Sequence, residues 1–123
     1  MVRSLFFVAL GGGLGSILRF LTNVWVSKNM VEKLYSATFI VNILGCFLIG
    51  FLTGYLQKQF SGNESLKLLL VTGFCGGFTT FSTFGLENYN FIQSGNYMTS
   101  IFYTFLSIGL GIIFVSLGLL LAK

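Results

Sequence analysis

Histidine is missing and cysteine is nearly so: the 123 residues contain no His and only Cys46 and Cys75, each isolated inside an apolar run. That excludes a His/Cys metal cluster and a disulfide framework, because neither the ligand number nor the spacing is there. The two thiols read as packing residues. Charge is scarce as well, at 8% of residues, and the only carboxylates are Glu32, Glu64 and Glu87. All three fall near the ends of apolar segments, so no buried acid and base pair is indicated and an enzyme is not. The seven basic residues are scattered and the net charge is only +4, which gives no patch for a nucleic acid.

What is present is apolar. With 54% hydrophobic residues the chain has too little polar surface for a water-soluble globule of this size, and the lipid bilayer becomes its solvent. A helix of about 20 residues rises roughly 30 Å, one hydrocarbon core, so this length holds at most four spans with short connections. Charges and turn residues divide the chain into spans of about 4–26, 36–56, 65–91 and 98–121 within a single transmembrane domain, 1–123. The stretch after Arg3 is read as a retained span, since no small-residue cleavage site follows it. The short connections, Ser27 to Tyr35, Gln57 to Glu64 and the run around Ser94, Gly95 and Asn96, make successive helices antiparallel neighbours in an all-α bundle. Arg3, Lys58, Lys67 and Lys123 fall on one side, Lys28 and Lys33 on the other; so slight a bias is compatible with insertion in both orientations.

Small residues recur four apart: Gly11 and Gly15, Gly50 and Gly54, Gly73 and Gly77, Ser107 and Gly111. Such faces let helices approach closely where no hydrophobic drive brings them together. The third span, however, reads Gly73-Phe74-Cys75-Gly76-Gly77-Phe78-Thr79-Thr80-Phe81-Ser82-Thr83-Phe84. Clustered glycines followed by paired threonines make a poor continuous helix, which predicts a break near mid-membrane. Broken backbone is tolerated in lipid only where it is buried in protein or lines a wet cavity, and an unwound turn aims carbonyls and half-helix ends at one point, as ion sites require. The alternative is a smooth packing face with hydroxyls bonded back to the preceding turn.

Other polar positions carry similar pairs of readings. Phe81 and Phe84 share a helical face with Ser82 and Thr83 between them; their positive ring edges offer weak stabilisation to a desolvated anion, or they are lipid-facing or core residues. Asn42, with Thr38 and Gly45 on its face, is a charge-free amide donor suited to an anion, or interhelical glue. Ser100, Tyr103, Thr104, Ser107 and Gly111 form a stripe on the fourth span that lines a polar path or bonds its own helix. Arg19 is the one basic residue well inside a span, a position costing about 2.5 to 3.5 kcal/mol on insertion scales. It faces an aqueous vestibule or snorkels to the span end. Glu87 either pairs with a cation or caps local donors.

Together these features resemble the Fluc (CrcB-type) fluoride channels across nearly the full chain. Gly11-Gly12-Gly13-Leu14-Gly15-Ser16-Ile17-Leu18-Arg19-Phe20 is similar to the family's glycine-rich first helix, with Phe20 where Tyr is frequent. Ala37-Thr38 and Val41-Asn42-Ile43-Leu44-Gly45-Cys46-Phe47 resemble its second-helix pattern, with Ala37 where Gly is frequent, and Gly73 to Phe84 resembles its broken-helix signature. The resemblance implies an antiparallel, dual-topology homodimer in the plasma (inner) membrane of a prokaryote, with two pores that export fluoride passively. It further implies a structural sodium ion at the dimer centre, held by backbone carbonyls of Gly76 and Thr79 from both copies. Phe81 and Phe84 would be the pore rings and Asn42 the amide donor. Ser82, Thr83, Thr38, Tyr103 and Ser107 would supply hydroxyls along or behind the path, and Arg19 would shape the vestibule. The nearest rival class, the small multidrug-type transporters, shares the format but requires a carboxylate deep in the first span, where this chain has Arg19. An assembly subunit without transport would need no broken helix.

Overall fold

A chain in hydrocarbon must satisfy its peptide groups internally, and long apolar runs without proline do so by becoming helices. The computed structural model describes residues 1–29 and 35–123. Among them, four helical stretches are long and apolar enough to cross a membrane. They comprise α1 (Val2–Asn29), α2 (Tyr35–Gln59), an interrupted third span, and α6 (Tyr97–Leu121). The third span runs through α3 (Glu64–Lys67), a wider π-helical segment π1 (Leu68–Cys75), the single turn α4 (Gly76–Phe78) and, after a gap, α5 (Ser82–Gln93). The helices run slightly past the apolar segments expected from the sequence, since helical bonding continues into the flanking polar residues. Glu32 and Lys33 lie outside the described residues, as does much of the first connection.

Turn chemistry closes the two described connections. Gly62 and Gly95 adopt φ of +84° and +82°, left-handed values that cost a side chain steric energy, and so end the preceding helices. Asn63 then caps α3, its Oδ1 accepting from Leu66 N–H at 3.1 Å. In π1 each bond spans one residue more than in an α-helix: the N–H of Gly76 reaches back to Val71 O.

Packing follows the small residues. α1 lies along π1 and α4, and α2 lies along α6. A β-carbon at Gly11 would sit 2.8 Å from the Phe74 nitrogen, and one at Gly73 would sit 2.9 Å from Val8 O. Gly15 and Gly77 likewise touch backbone across the same seam, at Phe74 and at Gly12. On the other seam Gly50 meets Val115, and Gly118, outside the spacing pairs picked from the sequence, sits so close to α2 that a β-carbon would lie 2.6 Å from Phe51 N. Gly111 faces Cys46 Sγ and Gly54 faces the Ala122 methyl. At these glycines the two seams pack backbone against backbone, while Leu14, Ile17, Phe105 and Ile112 remain outside, as a bilayer solvent permits.

Gly73 and Gly77 pack as their spacing predicts, and the break expected across the glycines and paired threonines falls at the threonine end. Gly76 and Gly77 remain helical, and the chain leaves the helix only after Phe78, with Thr79 extended at φ −94°, ψ 162°. Gly73 and Gly77 serve the α1 seam, and the threonines are the site of the break. Gly77→Val drives a methyl pair into the Gly12 backbone and is expected to destabilise the fold by about 1–3 kcal/mol. Gly85→Ala points into open space and should be neutral. Folded protein surviving a heat step in detergent, read by size exclusion, checks both; a Gly77→Val protein as heat-resistant as the parent contradicts the seam.

Candidate functional site

Unwinding Thr79–Phe81 removes the helical partners of several peptide groups, and the neighbouring spans replace some of them. Asn42 on α2 faces Thr80 and makes a two-bond ring with its peptide: Asn42 Nδ2 donates to Thr80 O at 2.9 Å, and Thr80 N–H donates to Asn42 Oδ1 at 2.8 Å. Because the backbone N–H only donates and the carbonyl only accepts, the orientation of the amide is determined by this pairing. Arg19 on α1 supplies the next partner, its Nε donating to Gly77 O at 2.9 Å. In an unbroken helix that carbonyl would accept from Phe81. The half-buried Arg19 is therefore tied to the break rather than extended to the span end, and it lines a small recess with Asn23, Thr38, Thr80 and Thr83.

The start of α5 is capped from inside the gap. Thr80 Oγ1 accepts from Thr83 N–H at 3.2 Å and lies 3.3 Å from both the Ser82 and Thr83 hydroxyls. Thr79 turns its hydroxyl back to Cys75 O at 2.9 Å, so both readings of the third span hold in part: the backbone breaks and one hydroxyl bonds to the preceding turn. The donors that a continuous helix would give to Gly76 O and Thr79 O are the N–H groups of Thr80 and Thr83. Both are committed elsewhere, which leaves the Gly76 and Thr79 carbonyls free of those partners.

Beside the break lies an open cavity of about 560 Å³. Asn42, Gly76, Thr79, Phe81, Phe84 and Ser107 are among its walls. Phe81 is 82% exposed, projecting from the gap, and its ring centroid is 5.8 Å from that of Phe84 at a 40° tilt. Phe84 in turn packs on Tyr103 at 5.0 Å and 50°. The buried Ser107 Oγ has no hydrogen-bond partner among the described residues, an orphan of the kind that a ligand or water satisfies.

Toward the α1–α2 end, Glu87 accepts from Thr38 Oγ1 at 3.0 Å and from Tyr103 OH at 2.8 Å, which answers the question left open for that residue: it gathers local hydroxyl donors. Tyr103 OH also lies 3.5 Å from Tyr35 O. The hydroxyl stripe of α6 is divided: Tyr103 goes to Glu87, Ser100 and Thr104 go to Asn88, and the buried Oγ of Ser107, a residue of the cavity wall, has no partner among the described residues. Of the residues singled out from the sequence, Asn42, Gly76, Thr79, Phe81, Phe84 and Ser107 meet at the cavity. Arg19, Thr38 and Thr83 meet in the adjoining recess, Ser82 stands exposed at the start of α5, and Tyr103 is buried behind Phe84. Thr80, gripped by Asn42, and the Gly77 carbonyl were not singled out. Thr80 looks like its neighbour Thr79 in sequence, and a carbonyl has no residue-type signal.

Four apolar spans, the third opened at its middle and braced by an amide and a guanidinium beside an open cavity, define a multi-pass membrane protein with a discontinuous helix. The family model described as "CrcB-like protein, Camphor Resistance (CrcB)" matches residues 6–119. A Flavobacterium psychrophilum protein named fluoride-specific ion channel FluC is 45% identical over 122 residues, covering 99% of this chain and 98% of its own length. A protein of the same name from Ignicoccus hospitalis is 44% identical over 117 residues, covering 95% of this chain and 93% of its own. The chain belongs to the CrcB family.

Asn42→Leu removes both bonds to Thr80 and leaves its peptide unpaired in a nonaqueous setting, at about 1–3 kcal/mol per orphaned group. Arg19→Met strands Gly77 O and should have a smaller effect of the same sign. Unfolding by titration with a denaturing detergent, followed by tryptophan emission, is expected to shift to lower detergent in both variants, further for Asn42→Leu; an unmoved midpoint contradicts the bracing roles.

Proposed function

We propose that this protein is a fluoride-selective channel that exports fluoride passively across the plasma (inner) membrane of a prokaryote. In this reading it works as an antiparallel, dual-topology homodimer with two pores and a structural sodium ion between the copies. The observation that carries it is the opened third span, in a chain whose relatives are named for fluoride conduction. An amide donor, tilted phenyl rings and an orphan hydroxyl stand around one cavity beside that opening.

The chemistry fits a small, strongly hydrated anion. Asn42 has one amide hydrogen beyond the one given to Thr80 O, and Ser107 has a hydroxyl without a partner among the described residues that would turn toward the cavity; both would replace lost water without adding a charge that would trap the ion. The ring edges of Phe81 and Phe84 add weak positive potential, so attraction and release stay balanced. From the cavity, Ser82, Thr83, Thr38 and Tyr103 continue a series of hydroxyls toward the α1–α2 end, and the guanidinium of Arg19 supplies the positive field of the vestibule. Such a route needs no energy source: fluoride that entered as the neutral acid and ionised inside leaves down its own gradient.

The sodium reading rests on the donor set. A hard cation takes oxygen ligands, and the Gly76 and Thr79 carbonyls are the ones relieved of their helical donors at the break. With Thr79 Oγ1 turned to Cys75 O, it is these carbonyls that would hold the ion, from both copies, where it would supply positive charge that joins two broken helices. The exposed Phe81 and the open cavity are likewise surfaces that a second, inverted copy would cover.

Purified protein reconstituted in liposomes, with fluoride release read by an ion-selective electrode under an ionophore that clears voltage, is expected to release fluoride and retain chloride. Phe81→Ile or Phe84→Ile should cut the fluoride rate while the dimer stays intact on size exclusion. Chloride release matching fluoride, or no fluoride release, contradicts the proposal, and unchanged flux in both variants removes the ring-edge mechanism.

A further inference from the structure

The break leaves α5 as a half-helix whose direction is no longer dictated by the turns before it, yet it carries Phe84. Something must set its rotation. Consecutive residues, Glu87 and Asn88, reach from α5 to α6. Glu87 takes the Tyr103 hydroxyl at 2.8 Å. Asn88 Oδ1 accepts from Ser100 Oγ at 2.8 Å and from Thr104 Oγ1 at 3.1 Å, two donors one turn apart on α6. Asn88 Nδ2 folds back along α5 and donates to Phe84 O at 3.1 Å. A carbonyl can only accept and the oxygen receives two hydroxyls, so the amide has one orientation that satisfies every partner. The same side chain therefore grips α6 with its oxygen and the peptide of Phe84 with its nitrogen.

We propose that Asn88 is a positioning residue for the ring of Phe84: it locks the rotation of α5 on α6 so that the ring presents its tilted face to Tyr103 and its free side to the cavity. Neither Asn88, Ser100 nor Thr104 is among the cavity walls, so the effect passes through Phe84 rather than through contact with the ion. The three hydrogen bonds are stronger in a nonaqueous surrounding than at a wet surface, and the half-buried Asn88 lies against Ser100, which is only 8% exposed. Ser100 and Thr104 thus stand behind the conduction route, as anchors.

This inference rests on the fluoride-channel reading, and its test separates the two. Fluoride release from liposomes is compared for the parent, Asn88→Leu, Phe84→Ile and the double variant. Leu keeps the volume and removes all three bonds. The single Asn88→Leu variant is expected to slow release about fivefold or more, the factor that one net hydrogen bond represents, with the dimer peak retained. In the Phe84→Ile background the same change should add little, because residues acting as one unit are not additive. Where Phe84→Ile leaves too little flux to divide, 4-fluorophenylalanine placed at Phe84 gives a second reading: one sharp ¹⁹F line in the parent, shifted or split in Asn88→Leu, with the line of the same label at Phe39 unmoved. Parental flux in Asn88→Leu, a full multiplicative loss in the double variant, or an unaltered Phe84 line overturns the positioning role. Absence of fluoride release from the parent itself fails the channel reading instead.

Discussion

A peptide group opened inside a bilayer has no water to turn to, and the pairing of Asn42 with Thr80 is what makes the opening tolerable here. An amide side chain reproduces the donor and acceptor of a missing peptide, so one residue satisfies both halves of the unwound unit. Arg19 completes the bracing one step earlier, at Gly77 O, and Thr80 Oγ1 restarts the helix one step later. Each of these groups would be expensive alone in lipid, and each is placed against another's deficit. The stiff, close seam between α1 and the first half of the span gives the bracing a fixed base, because backbone packed on backbone through glycine leaves little room for relaxation.

The distribution of hydroxyls follows from the same constraint. Groups needed for structure are bound to a definite partner: Thr79 to Cys75 O, Ser100 and Thr104 to Asn88, Thr38 and Tyr103 to Glu87. The exceptions gather at the cavity, where Ser107 lacks a partner among the described residues and Asn42 keeps one hydrogen in reserve. In the proposed route an ion would meet the Asn42 amide already oriented by its two bonds to Thr80, a form of preorganisation that favours entry without deep trapping. The aromatic chain of Phe81, Phe84 and Tyr103 joins the exposed ring at the break to the buried polar cluster behind it.

Much of this was legible in the residues. The four spans and their order follow from apolar length together with the charges and turn residues between them, and the glycine spacings identified the seams, although Gly118, with Ala122 four residues on, lay outside the chosen pairs. The disruption in the third span was legible too, from the glycine cluster and the paired threonines together, and it falls at the threonine end of that run. Helix propensity describes a residue by itself, whereas Gly73 and Gly77 are retained in the helix by the close approach of α1. Long-range hydrogen bonds were the least visible layer. Nothing near Asn42 in sequence points to Thr80, nor anything near Arg19 to Gly77, because these partners lie 38 and 58 positions away. Asn88 escaped notice for the same reason: its partners are on another helix, and an asparagine beside a carboxylate near a span end looks like an ordinary interfacial residue.

The claim on which the rest depends is that the third span stays unwound at Thr79–Phe81 and is held there by Asn42. Solid-state NMR of isotope-labelled protein in lipid bilayers tests it directly. An extended carbon shift at Thr79, together with a through-space contact between the Asn42 side-chain nitrogen and the Thr80 carbonyl carbon, is the result this account predicts. Helical shifts at Thr79, Thr80 and Phe81 alike, with no such contact, would contradict it.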